Sequence, residues 1–413
     1  MTPSRSTAAK LGLLGSLYFS QGLPFGFFTQ ALPVLLRKAG FSLAEIGFAS
    51  LLAIPWALKF AWAPLVDRHS LPGVGRRKSW VVPLQLASVA ILSALAVSPA
   101  SRSMTTLMGA ILLLNLVAAT QDIATDGLAV ELLEPEERGF ANGLQVAGYR
   151  VGMIVGGGAL LVFYDRLGAS LTFLAMAALT ALATLPILAA REPSAAPRPG
   201  DAPAVAVHFL RRPGAARLLL LIITYKAGDA FATGMLRPFL ADVGLSLSDI
   251  GWLLGTVGFV AGLLGALAGG ALVNRLGRKE ALTWFGLLQA ASVAGYAYLA
   301  SGTPTAPALY VLCAAEHFAG GMATAALFTC MMDWCSREAC GTDYTVQASA
   351  VVIATGVASA VAGVSAQALG YLGHFCVASV LSLGALAVVR RFFPTPEAAR
   401  KLRAEPAEVT PCA

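Results

Sequence analysis

Charge is what this sequence has least of. Of its 413 residues only 12% are Asp, Glu, Lys or Arg, about half of the roughly 25% found in soluble domains. An ordinary soluble globule is thereby excluded. Histidine is scarce too: the four, at positions 69, 208, 317 and 374, form no H-E-x-x-H, which weakens any reading as a membrane-embedded zinc hydrolase. No G-x4-G-K-[ST] occurs, so no nucleotide-driven engine of the P-loop kind is expected. The six cysteines all lie in the second half, and Cys330, Cys335 and Cys340 recur at a spacing of five. Structural zinc sites use closer pairs. Free thiols in a reducing compartment are expected, with no metal site and no cofactor.

Apolar residues are present in abundance, at 57% of the chain, with a mean hydropathy of +0.72. They fall in runs long enough to cross a hydrocarbon core about 30 Å thick. Twelve helical spans are predicted, at 11–36, 43–66, 79–98, 104–130, 139–164, 170–190, 217–240, 248–273, 281–301, 306–332, 343–367 and 371–392. The first follows Arg5 and Lys10, is too long for a signal-peptide core and is expected to stay uncleaved.

An even number of spans puts both ends on one side. With the ends cytoplasmic, the inner segments hold 21 Lys and Arg against 4 in the outer loops, which predicts that orientation. The net charge of +7 is then a membrane-orientation signal, and no nucleic-acid partner is needed to explain it.

The chain repeats itself. GFSLAEIG at 40–47 returns as GLSLSDIG at 244–251, an offset of 204 at which Trp80 also meets Trp284. An offset near half the length predicts two parallel six-span halves. The expected fold is an all-α membrane protein with a first half over 1–190, a linker over 191–216, a second half over 217–392 and a tail over 393–413. The linker is rich in Pro and Ala, which suits an irregular cytoplasmic connection.

Ionisable residues inside the spans are costly, at least about 2.5–3.5 kcal/mol each at the bilayer centre. They are Lys59, Asp122, Asp126, Arg150, Lys226, Asp229, Arg237 and Glu316, four of each sign. Structural ion pairs and a proton or substrate path both account for them. Asn115, Asp122 and Asp126 share one helical stripe. The repulsion between Asp122 and Asp126 makes them proton-coupling candidates, although Arg150 on the next span is a possible neutraliser. Lys226 and Asp229 stand three apart and can pair. Glu316 has no cation on its own span and joins Asp122, Asp126 and Asp229 as a coupling candidate.

The first span, YFSQGLPFGFFTQALP, combines prolines and glycines with amides and aromatics. Tyr18, Gln21, Phe25, Phe28 and Gln30 are candidate cavity residues, with Asn115, Arg150 and Tyr225 from other spans. Gly148, Gly152 and Gly156 form a small-residue stripe that predicts close helix packing. Basic loops recur after the second and eighth spans: Asp67, Arg68, Gly75, Arg76 and Arg77 in one, Asn274, Arg275, Gly277, Arg278 and Lys279 in the other.

On these loop residues the chain resembles the major facilitator superfamily, whose loop motif reads G-x-x-x-D-R-x-G-R-R in outline. The first copy here has a longer spacer. The resemblance implies that the motif latches the cytoplasmic side and gates a change of shape. LKFAWAPLVDR at 58–68 and QDIATDGLAVELLEPEERG at 121–139 look like the AmpG branch, which also takes in acetyl-CoA transporters. QGLPFGFFTQALPVLLR at 21–37 looks most like the RhtX/FptX siderophore permeases.

The expected function is a monomeric, proton-coupled inner-membrane permease importing a ferric siderophore, with iron present only inside the transported chelate. An AmpG-like muropeptide or acetyl-CoA-type permease is the alternative, and an exporter and a transporter-like sensor without net flux stay open.

Overall fold

The computed structural model describes residues 6–32, 35–36, 50–71, 73–97, 104–190, 192, 209–302, 304–336, 339–395 and 397–399. Among them all regular structure is helical. The expected all-α architecture is what the chain adopts, and the described helices fit twelve membrane spans in two six-helix halves. The third and fourth spans are Lys78–Val97 and Met104–Leu132; the ninth and tenth are Arg278–Ala300 and Ala306–Asp333. Seven described helices are long and apolar enough by themselves to cross a bilayer.

The other crossings are interrupted, and the interruptions have local causes. Pro24 lies in the first span, Thr7–Gly26, which continues through a π-helical turn at Phe27–Ala31. Pro55 and Pro64 sit in the opening turns of Ile54–Leu58 and Ala63–Arg68, so the second span runs as short pieces around a 3-10 turn at Lys59–Ala61. Proline is tolerated in a first helical turn, where its missing N–H has no partner to lose. Wider turns also mark the fifth span at Ile154–Ala159 and the eighth at Leu253–Val257.

The duplication is visible in the backbone. Helix runs through Leu160–Ala189 and Cys340–Phe392 break at Gly168 (φ 80°) and Gly370 (φ 66°), 202 residues apart, and so separate the fifth span from the sixth and the eleventh from the twelfth. Only glycine takes such a φ at little cost. The second octapeptide owes its form to helix capping. The Ser246 hydroxyl accepts from the Asp249 N–H at 3.1 Å, and the Asp249 carboxylate accepts from the Ser246 N–H at 3.2 Å. This reciprocal capping box needs the spacing S-x-x-[DE]. The spacing recurs at Ser42 and Glu45, which lie outside the described residues.

By contact the chain divides into two compact units. One holds Met1–Leu133, Ala147–Ala206 and Arg337–Thr345; the other holds Glu134–Val146, Val207–Ser336 and Val346–Ala413. An apolar core of the first joins Phe27, Phe28, Leu32, Leu92, Phe173 and Met176. Its counterpart in the second gathers Phe231, Phe239, Tyr296 and Phe375. Within the first unit the glycine stripe of the fifth span lies directly against the backbone of the first span. A Cβ on Gly152 would meet the Phe19 carbonyl at 2.3 Å, and one on Gly156 the Leu23 carbonyl at 1.9 Å.

Gly156→Val should therefore lower the thermal midpoint of the detergent-purified protein, with overpacking on the order of 1–3 kcal/mol or more. Gly12→Ala, where a Cβ meets nothing within 4 Å, should leave that midpoint unchanged or raise it. Differential scanning fluorimetry checks both.

Candidate functional site

The first polar cluster stands on the fourth span, whose stripe carries Asn115, Asp122 and Asp126, all buried. Asp122 forms an ion pair with Lys59, whose side chain is only 3% exposed. Lys59 occupies the 3-10 turn between the two helical pieces of the second span. One turn earlier Trp56 lies with its ring 5.7 Å from the Lys59 ammonium, and its indole N–H donates to Asn115 Oδ1 at 3.0 Å. From the first span the Tyr18 hydroxyl donates to Asp126 Oδ1 at 2.8 Å. The Gln21 amide donates to Thr125 Oγ1 at 3.1 Å.

Phe25 extends this lining with aromatic surface, packing on Trp56 (5.4 Å between centroids), Tyr149 (5.7 Å) and Phe28 (6.0 Å). Arg150 is half-buried. The Gln30 side chain lies outside the described residues. The structure brings the first-span candidates Tyr18, Gln21 and Phe25 together with the fourth-span stripe of Asn115, Asp122 and Asp126, and Lys59 and Trp56 are partners that the stripe reading left out. A signal for Lys59 existed. Counted from the expected starts at 43 and 104 of two spans that run the same way, Lys59 and Asp122 lie at nearly the same depth.

The second cluster stands on the seventh, ninth and tenth spans. Lys226 Nζ donates to Asp229 Oδ2 at 2.8 Å and to Thr324 Oγ1 at 3.3 Å. Asp229 also interacts with Glu316. Glu316 Oε2 accepts from the Tyr296 hydroxyl at 3.1 Å and lies 2.9 Å from His317 Nδ1. That nitrogen is also 2.9 Å from the Cys313 carbonyl. Both neighbours accept, so Nδ1 carries the hydrogen.

Tyr225 is buried, with its hydroxyl donated to the Leu282 carbonyl at 3.0 Å, so it ties the seventh span to the ninth. Arg237 is exposed and lies just past the break between Ala215–Gly234 and Leu236–Asp242.

Both basic loops close on carboxylates. Arg77 is fully buried, with NH1 2.6 Å from Asp67 Oδ1 and NH2 2.8 Å from Glu131 Oε1 and 2.9 Å from Cys340 Sγ. Asp67 Oδ2 accepts from both the N–H and the hydroxyl of Thr342 at 2.6 Å. Burial works to lower the pKa of Arg77, but Asp67, Cys340 and Glu131 outweigh it and hold it well above its ordinary value, so the guanidinium keeps its charge. Gly127 makes room for it: a Cβ there would lie 2.4 Å from Arg77 Cζ.

In the other unit Asp333 accepts from Arg138 NH1 at 2.7 Å and Arg278 Nε at 2.6 Å, while Arg278 NH2 donates to the Pro135 carbonyl at 2.8 Å. Asn274 bonds the Glu136 carbonyl. Arg68, Arg275 and Lys279 stay exposed, Arg76 pairs with Glu131, and Gly75 and Gly277 supply left-handed turns.

Glu192, within the linker stretch 191–216, caps the third span, its carboxylate accepting from the N–H groups of Arg77 at 3.0 Å and Lys78 at 2.8 Å, where a helix N-terminus favours negative charge.

Five cysteines are free thiols, and no cluster suited to a metal ion occurs among the described residues.

Residues 10–102 and 96–167 match the family described as acetyl-coenzyme A transporter 1, and residues 218–411 match the Major Facilitator Superfamily. The anhydromuropeptide permease of Escherichia coli (strain K12) is 33% identical over 365 residues, which cover 86% of this chain and 74% of that protein. A putative transporter AmpG 4 of Rickettsia felis is 27% identical over 383 residues, covering 89% and 92%. The crystal structure of the human organic anion transporter MFSD10 (TETRAN) superposes with a TM-score of 0.72 at 17% identity, covering 94% of this chain and all of that one. At that identity the likeness speaks for the fold alone.

Arg77→Ala leaves the buried Asp67 carboxylate without its cation and should destabilise the first unit by roughly 3–5 kcal/mol. In a background whose only cysteine is Cys340, the substitution should also turn a thiol shielded from maleimide into one that labels readily. Unchanged labelling would show that Arg77 does not hold this contact.

Proposed function

The chain belongs to the major facilitator superfamily, with AmpG-like permeases as its homologues, and on that premise we propose that it is a proton-coupled permease of a bacterial inner membrane that imports an anionic, muropeptide-type substrate by alternating access. The observation that carries this reading is the pairing of buried lysines with carboxylates: Lys59 with Asp122 and Lys226 with Asp229. The permease acts as a monomer, the 21-to-4 loop bias supports cytoplasmic termini, and it performs no covalent chemistry.

The proposed cycle uses competition for the lysines. An anionic group of the substrate takes the Lys59 ammonium, and Asp122 then loses its counter-charge and accepts a proton. Asp126, held by Tyr18, is the adjacent acceptor. In the second unit Asp229 and Glu316 stand in the same relation to Lys226, with His317 and Tyr296 as hydrogen-bond relays. Bringing substrate charge and proton together keeps the net charge of each cluster constant, which is what a low-dielectric interior demands. Gln21, Asn115, Trp56 and Phe25 supply amides and flat apolar surface for sugar and peptide parts. The gating loops around Arg77 and Arg278 hold the cytoplasmic helix ends while this occurs.

A muropeptide displaces the ferric siderophore as the favoured substrate. The anhydromuropeptide permease aligns over 86% of this chain, whereas the siderophore resemblance rests on the first span alone. Because the chain spans 74% of that permease's length, the substrate has to be tested directly.

In proteoliposomes under an inward proton gradient, labelled anhydromuropeptide should accumulate, while ferric pyochelin and acetyl-CoA should not. Accumulation of ferric pyochelin alone would overturn the assignment. Asp122→Asn should abolish gradient-driven uptake yet preserve counterflow, and undiminished active uptake would remove Asp122 from the coupling. Lys59→Met should raise KM for the anionic substrate by about tenfold or more, as expected for one lost charge-assisted contact, measured from initial rates.

A further inference from the structure

A cavity of about 540 Å³ opens in the second unit on the face that carries the basic loops. Its lining includes Arg138, Arg278, Lys279, Asp333, Trp334 and Phe393. Asp333 spends both carboxylate oxygens on the two guanidiniums, at 2.7 and 2.6 Å. The lining thus carries three cations, Arg138, Arg278 and Lys279, against the single acid Asp333. Lys279 is exposed and enters no ion pair shown among the described residues. Two long helices, Pro135–Met153 and Arg278–Ala300, also begin here, and both first residues line the cavity. Their positive ends favour an anion. The acids of those first turns, Glu136, Glu137 and Glu280, are not part of the lining.

The rest of the lining is mainly apolar. The Trp334 and Phe393 rings meet edge to face at 5.8 Å, with Pro135, Pro394 and Ala399 beside them. We propose that this cavity binds a phosphate-bearing anion with an organic body, either the headgroup of an acidic phospholipid or a soluble phosphate ester. Basic cavities between helices on the cytoplasmic side suit such headgroups, and guanidinium and ammonium groups bind phosphate strongly. A phosphate seated here would touch the starts of the fifth and ninth spans and the end of the tenth together, so its occupancy would stabilise the arrangement that Asp333 organises.

The test uses the purified full chain in detergent, with native mass spectrometry counting retained phosphatidylglycerol against phosphatidylcholine, and glycerol 3-phosphate as competitor. Wild-type protein should retain phosphatidylglycerol in preference. Lys279→Gln should weaken retention roughly three- to tenfold, the range for one partly exposed charge contact, and Phe393→Ala should weaken it as well. Arg217→Gln removes another exposed cation, one outside the cavity lining, and should change nothing. Displacement by glycerol 3-phosphate identifies a site that reads the phosphate alone; lysine-dependent retention without displacement identifies the lipid. Equal retention by wild type and Lys279→Gln, an equal loss in Arg217→Gln, or no retention by the wild type would overturn the proposal.

Discussion

A charge inside a bilayer protein has to meet its opposite, and the architecture of both units follows from that constraint. Removing a carboxylate or an ammonium from water costs several kcal/mol per ion even after relaxation. A buried charge whose partner lies on another span therefore fixes that span's position. Lys59 ties the second span to the fourth, Tyr18 adds the first through Asp126, and Lys226 through Thr324 and Asp229 through Glu316 bind the seventh to the tenth. At the loop ends Arg77 gathers Asp67, Glu131 and the start of the eleventh span in one contact. Such pairs are poor stabilisers compared with apolar packing of the same volume. Their presence in a chain so poor in charge is therefore a functional signal.

Helix breaks make the pairing possible. An unbroken second span would place its side chains at regular helical intervals along one rod. Pro55 and Pro64 instead divide it, and the 3-10 turn between the pieces carries Lys59. The π-helical turns in the first, fifth and eighth spans loosen the backbone in the same way. Where such turns lie beside polar residues they mark segments able to change shape. Glycine does the opposite: along Gly152 and Gly156 it brings two backbones into contact and fixes their distance.

Most of the fold was legible in the sequence, and the site was legible in part. Span boundaries followed from apolar run length, and the described helices begin and end within a few residues of them. The stripe of Asn115, Asp122 and Asp126 was legible because helical periodicity places i, i+4 and i+7 together on any helix. Lys226 and Asp229 were legible for the same reason. The partners of those stripes were not. Trp56 on Asn115, Tyr296 on Glu316 and Glu192 on the third span join residues far apart in the chain, and periodicity is silent about which face meets which.

What the sequence determined by itself is the solvent of this protein, the number of its crossings, the expected side of its basic loops and its duplicated plan. These depend on composition and on local spacing, which every residue carries wherever the chain goes. The tertiary structure alone decided which lysine neutralises which carboxylate, that Tyr225 ties the seventh span to the ninth, that Arg237 faces outward, and that Arg138, Arg278 and Lys279 share one cavity. Those outcomes depend on how separate helices rotate and pack against one another, and that rotation is fixed by close contacts and buried charge, neither of which is a property of any single segment.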